Sequence, residues 1–313
     1  MAFNKYFEIV YQKLLSDNTR KKSERIILVI AIASFLIHLA LIYLVDFGVI
    51  HLDKYSDLLK NPIAAIYTPF SFILVYEVYL LIYYLPKSIT TYISKQYEII
   101  SLIIIRRLFK DLSTLSLSSD WFKIKYDLQF TYDLIASVLL FFLIYQFHVQ
   151  SKKRFNTDSA THTEVESISR FIKIKKVLAA SLVPVIILVA IYSFITWVLS
   201  LSHTGIHTDV SFKNINNIFF EQFFGILIIA DVILLLFSFF HTDEFHKVIR
   251  NSGFIISTIL IRMSFSVTGL LNTLLIVSAI IFGLLILIIH NRFESLVTIK
   301  KSNEEAGNKS LFP

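Results

Sequence analysis

Two acidic residues stand inside long apolar runs of this sequence, Glu77 within Phe70 to Leu85 and Asp231 within Phe223 to Phe240. In such surroundings a carboxyl group either relays protons or cations, or closes an ion pair that fixes helix packing. A charged residue mid-span costs about 2.5–3.5 kcal/mol on insertion scales, while each Phe, Ile, Leu or Val returns about 0.3–0.6 kcal/mol. With ten such residues between 70 and 85, insertion survives the acid. Glu77 must then face protein or water. At 1.5 Å of rise per residue, Lys95 matches the height of Glu77 on the helix that runs back up from Ser88. The expected pairs are therefore Glu77 with Lys95, and Arg106 with Asp127 or Asp133. Asp231 finds no cation at its own height, since Arg250 lies about two turns below it, and is expected as a neutral acid. Lys95, Arg106 and Arg107 do not recur at every third position as the cations of a voltage sensor do.

The histidines offer weaker chemistry. His203 and His207, with Asp209 near, converge on a metal only if that loop is helical, and His241, Asp243, Glu244 and His246 crowd a later turn. Neither spacing is a zinc signature, and polar residues belong at such interfacial positions anyway, so no metal is expected. Bis-histidine haem needs two imidazoles at one height; His38 is mid-span, while His148 and His290 share a level near one membrane face. No glycine-rich phosphate loop, HExxH or GxSxG pattern occurs among only seven glycines. With no cysteine, thiolate ligands and thiol nucleophiles are excluded, and the chain is read as a non-enzyme without a cofactor.

The elements that must hold these residues are set by composition. Apolar residues make up 55% of the 313, charged ones 17%, and the mean hydropathy is +0.67. Soluble domains carry about 25% charge. The reading is an all-α, polytopic membrane protein of about eight transmembrane helices, near 26–46, 63–85, 89–109, 127–149, 177–201, 219–241, 247–267 and 270–290. Residues 1–24 read as an amphipathic interfacial helix, with Phe3, Phe7, Val10 and Leu14 on one face and a stop at Ser16-Asp17-Asn18. No signal peptide is read, because the run from Ile26 is too long and lacks a small-residue cleavage site. Residues 25–150 form a first four-helix unit, 151–175 a basic linker, 176–293 a second unit and 294–313 a disordered polar tail. With the N-terminus inside, 21 of the 30 lysines and arginines fall on the inner side, which puts both termini in the cytoplasm. The formal charge of +7 thus reflects topology rather than a nucleic-acid surface, and anionic lipid headgroups are expected at the basic segments.

A shift of 156 residues brings the two units into register. Ile50-His51-Leu52-Asp53 falls on Ile206-His207-Thr208-Asp209, and residues 99–106 fall on 255–262 with six of eight identical, ending at Arg106 and Arg262. Four helices separate the copies, so the repeats run parallel. Each unit resembles the phosphate-starvation-inducible PsiE family of small four-helix bacterial inner-membrane proteins. The resemblance rests on His51-Leu52, Phe72, Glu77 and Tyr97 to Arg106. In the second unit Thr208 replaces the leucine, and Asp231 stands two residues out of register with Glu77. The resemblance implies a fold and a bacterial inner-membrane location, and no mechanism. Three functions follow as expectations: a channel, transporter or sensor for a small ion; a scaffold that docks a membrane partner or a second copy through the basic N-terminal helix and linker; and a haem-binding redox protein.

Overall fold

The computed structural model describes residues 2–48, 62–112, 125–153, 162–203, 212–240, 244–267 and 269–309. Among them the chain forms nine α-helices: α1 (Ala2–Leu15), α2 (Asp17–Asp46), α3 (Tyr67–Tyr84), α4 (Ile89–Leu112), α5 (Lys125–Ser151), α6 (His162–His203), α7 (Phe212–Phe239), α8 (Phe245–Ser264) and α9 (Leu270–Lys309). A short 3-10 turn, Pro62–Ile66, leads into α3. The described residues contain no strand. Four stretches are long and apolar enough to cross a bilayer: Phe7–Asp46, Leu128–Ser151, Gln222–Phe239 and Leu270–Val297.

Three boundaries differ from the sequence reading. Ser16 stops α1 but at once caps α2, its side chain accepting from the Thr19 backbone N–H at 3.2 Å, so residues 17–24 open the first long helix. Helix α1 packs on α6, where Lys176 pairs with Glu8 at 2.9 Å. Residues 162–175, read as linker, are the first turns of the 42-residue α6, which carries Pro184 in its interior. Residues 294–309, read as disordered, extend α9.

The helices pack as two chains of neighbours, α2–α3–α4–α5 and α6–α7–α8–α9, joined through α5 against α9, α3 against α6 and α4 against α8. At that seam Tyr97 packs edge-on to Phe147 (5.0 Å between ring centroids), and Phe147 meets Phe254 at 5.7 Å. The Tyr97 hydroxyl hydrogen-bonds Ser257 at 2.7 Å while lying over Gly283, where any Cβ would collide with it. Small residues let helices approach closely, and Gly283 serves that purpose. The polarity of the molecule is inverted. Val29, Val138 and Leu188 are 66%, 67% and 65% exposed, whereas Asp133 and Asp231 are fully buried.

Candidate functional site

The acids of the sequence reading both lie inside the bundle, each closed by an arginine. Arg106 on α4 donates from Nη2 to Glu77 Oε2 on α3 at 2.6 Å, and from Nη1 to the Phe70 carbonyl at 3.2 Å. Arg262 on α8 reaches Asp231 Oδ2 on α7 at 2.7 Å. The expected Glu77–Lys95 pair does not form; Lys95 bonds Glu98, one turn along its own helix, at 2.6 Å. Nor is Asp231 without a cation.

Side-chain direction explains both corrections. Cα–Cβ bonds tilt toward the N-terminus of their helix. In an antiparallel pair the acid on the descending helix therefore points up and the arginine on the ascending helix points down. They meet from different backbone heights. Arg106 and Arg262 each lie seventeen residues beyond the first residue of their helix, and the acids sit seven and eight residues before the last residue of theirs. A match of Cα heights picks Lys95, which points the wrong way.

The second pair is also held by the first set of helices. Tyr92 on α4 donates to Asp231 Oδ1 at 2.8 Å, and Arg262 donates to Gln96 Oε1 on α4 at 3.2 Å. Thr258 adds a contact at 3.4 Å to Asp231 Oδ2. A third network lies toward the other end of α4. There Arg107, not Arg106, meets Asp133: Nε to Oδ2 at 2.7 Å and Nη2 to Oδ1 at 2.8 Å. Asp133 also accepts from Thr273 at 2.7 Å and Gln129 at 3.0 Å, while Arg107 donates to Asn272 Oδ1 at 2.6 Å. Consecutive residues on a helix point about 100° apart, so Arg106 serves α3 and Arg107 serves α5 and α9. Sequence reasoning missed Tyr92, Gln96, Asn272 and Thr273. The register that lays Arg106 on Arg262 was the available signal that one pairing rule holds twice.

The histidine expectations divide. His207, Asp209 and His241 fall outside the described residues, and the side chain of His203 does too. His246 is brought to His290 and Glu294 on α9, their ligating atoms all within 4.8 Å. His246 Nε2 lies 3.2 Å from both Glu294 Oε1 and Glu244 Oε2, and its ring stacks on His290 at 5.3 Å. These separations suit a tetrahedral ion by geometry. Charge opposes it, because Lys247 already holds Glu244 at 2.7 Å and Arg250 Nη1 sits 2.9 Å from His290 Nε2. The histidines considered for haem each have a polar partner. His148 bonds Glu98 at 2.9 Å and Ser94 at 3.3 Å, His290 meets Arg250, and His38 bonds Thr68.

Beside this cluster, where α4 and α8 begin and α5 ends, is a cleft of about 230 Å³ lined by Thr90, Ser151, Lys153, Lys247, Arg250 and His290. Behind it Lys175 is buried, donating to the Lys87 carbonyl at 3.0 Å. Burial, with the charge of Arg250 added, pushes its ammonium down to about 8. Comparison with protein-family models, curated proteins and solved structures returns no match for this chain.

Proposed function

We propose that this chain is a non-transporting scaffold of a bacterial inner membrane, with eight crossings in two parallel four-helix units and both termini in the cytoplasm. In this reading it carries no enzymatic activity, and the PsiE-like resemblance describes both units. One observation carries the reading: both mid-bundle acids are buried and engaged by arginine at 2.6 and 2.7 Å. Breaking a buried pair costs about 3–5 kcal/mol. At 1.36 kcal/mol per tenfold, that slows any ion handed through either carboxylate by about 10²–10⁴. A wet ion path is poorly served by carboxylates so held.

The doubled architecture is supported by the equivalence of the two pairs and by α4 meeting α8 and α5 meeting α9, although α3 also meets α6 outside that pattern. The inverted polarity supports the membrane setting, since an apolar exterior around buried charge is stable only in apolar surroundings. In this reading α3 and α6 add two crossings to the four apolar stretches, and α4 and α8 add the last two, with Arg106 and Arg262 paired inside.

The rival reading, ion movement through Glu77 and Asp231, draws on the run of polar groups Tyr92, Asp231, Arg262 and Gln96 that links the two units. Reconstituted protein is expected to give no proton, sodium or potassium flux above empty liposomes. Flux abolished by Asp231→Asn or Glu77→Gln would establish the rival.

A further inference from the structure

The basic cleft is the feature that the paired acids leave unexplained. It is lined by three cations from two helix ends, Lys153 just past α5 and Lys247 and Arg250 on α8, with the hydroxyls of Thr90 and Ser151 opposite. Arg250 feels the charges of Glu294 and Glu244, yet neither carboxylate pairs with it directly. The hydrogen-bond partners of Arg250 among the described residues are neutral: Asn251 Oδ1, at 3.2 Å from Nε and 3.1 Å from Nη2, and His290 Nε2. No carboxylate of the described residues lies within ion-pair distance of it. Lys175 likewise meets no carboxylate among the described residues; it donates to the Lys87 carbonyl and lies 4.7 Å over the Phe171 ring. Lys247 is the exception, being paired with Glu244, and Glu294 is the one acid in the lining. A partly buried cation without an anionic partner is costly, and an arriving anion removes that cost.

We propose that this cleft binds a phosphate-bearing anion, with Arg250 and Lys153 as its principal contacts. The planar fork of Arg250 matches phosphate oxygens, Lys153 supplies a point charge, and the Thr90 hydroxyl donates to a remaining oxygen, while the Ser151 hydroxyl is held by the His148 carbonyl at 2.9 Å. The observed arrangement favours an anion over a metal, because a divalent cation would have to displace Arg250 from His290 and share Glu244 with Lys247. Two sources share this chemistry, an anionic lipid headgroup and free phosphate. Basic pockets between helix ends at the cytoplasmic face are a recognised setting for the former. The lipid source rests on the scaffold reading for its depth at the bilayer surface. Binding in detergent does not need that reading, and the flux result bears on neither arm.

The test uses the full-length protein, purified in an uncharged detergent. One arm titrates inorganic phosphate by calorimetry; the other compares retention of phosphatidylglycerol and phosphatidylcholine by native mass spectrometry. Either phosphate binding or a preference of about tenfold or more for phosphatidylglycerol is expected, and which arm responds identifies the source. Lys153→Gln and the charge-keeping Arg250→Lys should each weaken it by about tenfold. Glu294→Gln should strengthen it severalfold by removing the one acid from the lining. Zinc in place of phosphate gives the contrary pattern if the histidine cluster is a metal site, with binding lost in Glu294→Gln. The proposal is overturned by neither probe binding wild type, by wild-type affinity in both cation variants, or by zinc binding without phosphate or lipid selectivity.

Discussion

The Glu77–Arg106 and Asp231–Arg262 pairs share a chemistry and differ in what surrounds them. Glu77 meets its arginine across α3 and α4, and the second guanidinium nitrogen turns to the Phe70 carbonyl. Asp231 has its arginine and also the Tyr92 hydroxyl from α4, with Gln96 on the far side of Arg262. The first pair ties α3 to α4; the second, through Tyr92 and Gln96, fastens α7 and α8 to α4. The acids differ to match. Against the register that lays Arg106 on Arg262, Asp231 stands two residues nearer the arginine level than Glu77, a rise of about 3 Å. That rise offsets the methylene its side chain lacks. Two solutions to one distance have been reached with different residues, which implies that the pairing, rather than the residue at a fixed position, is what the fold requires.

The largest expected effect is the gap between two isosteric neutralisations. Asp231→Asn leaves the buried Arg262 charge uncompensated and weakens the Tyr92 hydrogen bond, so it should cost about 4–5 kcal/mol in denaturant unfolding from mixed micelles. Glu77→Gln should cost about 3 kcal/mol, because Arg106 keeps the Phe70 carbonyl. Equal costs would erase the distinction drawn between the pairs.

Tyr92→Phe sharpens it at a smaller scale. Loss of that hydroxyl should destabilise by about 1–1.5 kcal/mol, with clear coupling to Asp231→Asn in a double-mutant cycle. Coupling to Glu77→Gln should stay below about 0.5 kcal/mol, since no contact joins them. Coupling of similar size to both acids would mean that the two pairs act as one network.

The gentlest effect lies outside the pairs, at Lys175, and is read as a slope with pH. Its folded pKa of about 8 lies below the usual lysine value of about 10.4. Below pH 8 both states are protonated and the folded state bears the full cost of burying the charge. Between about pH 8 and 10.4 the folded lysine loses its proton while the unfolded one keeps it, so stability should rise with pH across that window. Lys175→Gln should flatten this rise. A slope unchanged by the substitution would assign it to other groups.

Much of the plan was legible in residue order. The apolar runs imply long helices because in lipid a backbone must satisfy its own hydrogen bonds. The four stretches long enough to cross include parts of the expected first, fourth, sixth and eighth spans. That the acids face inward followed from the cost of exposing them to acyl chains. The partners did not follow. Rise per residue gives the height of a Cα, whereas an ion pair forms between side-chain tips, displaced by several ångströms along directions set by each helix. Arg106 and Arg107 show the limit most clearly: neighbours in sequence, they serve Glu77 and Asp133 on different helices because the angle between them is fixed only once α4 is seated among α3, α5 and α9. The same holds for the basic cleft, whose cations are separated by nearly a hundred residues and line one space only because α5 and α8 both pack against α9. Sequence determined which groups could not face lipid; packing decided which of them meet, because contact depends on direction and neighbourhood, and the linear chain records neither.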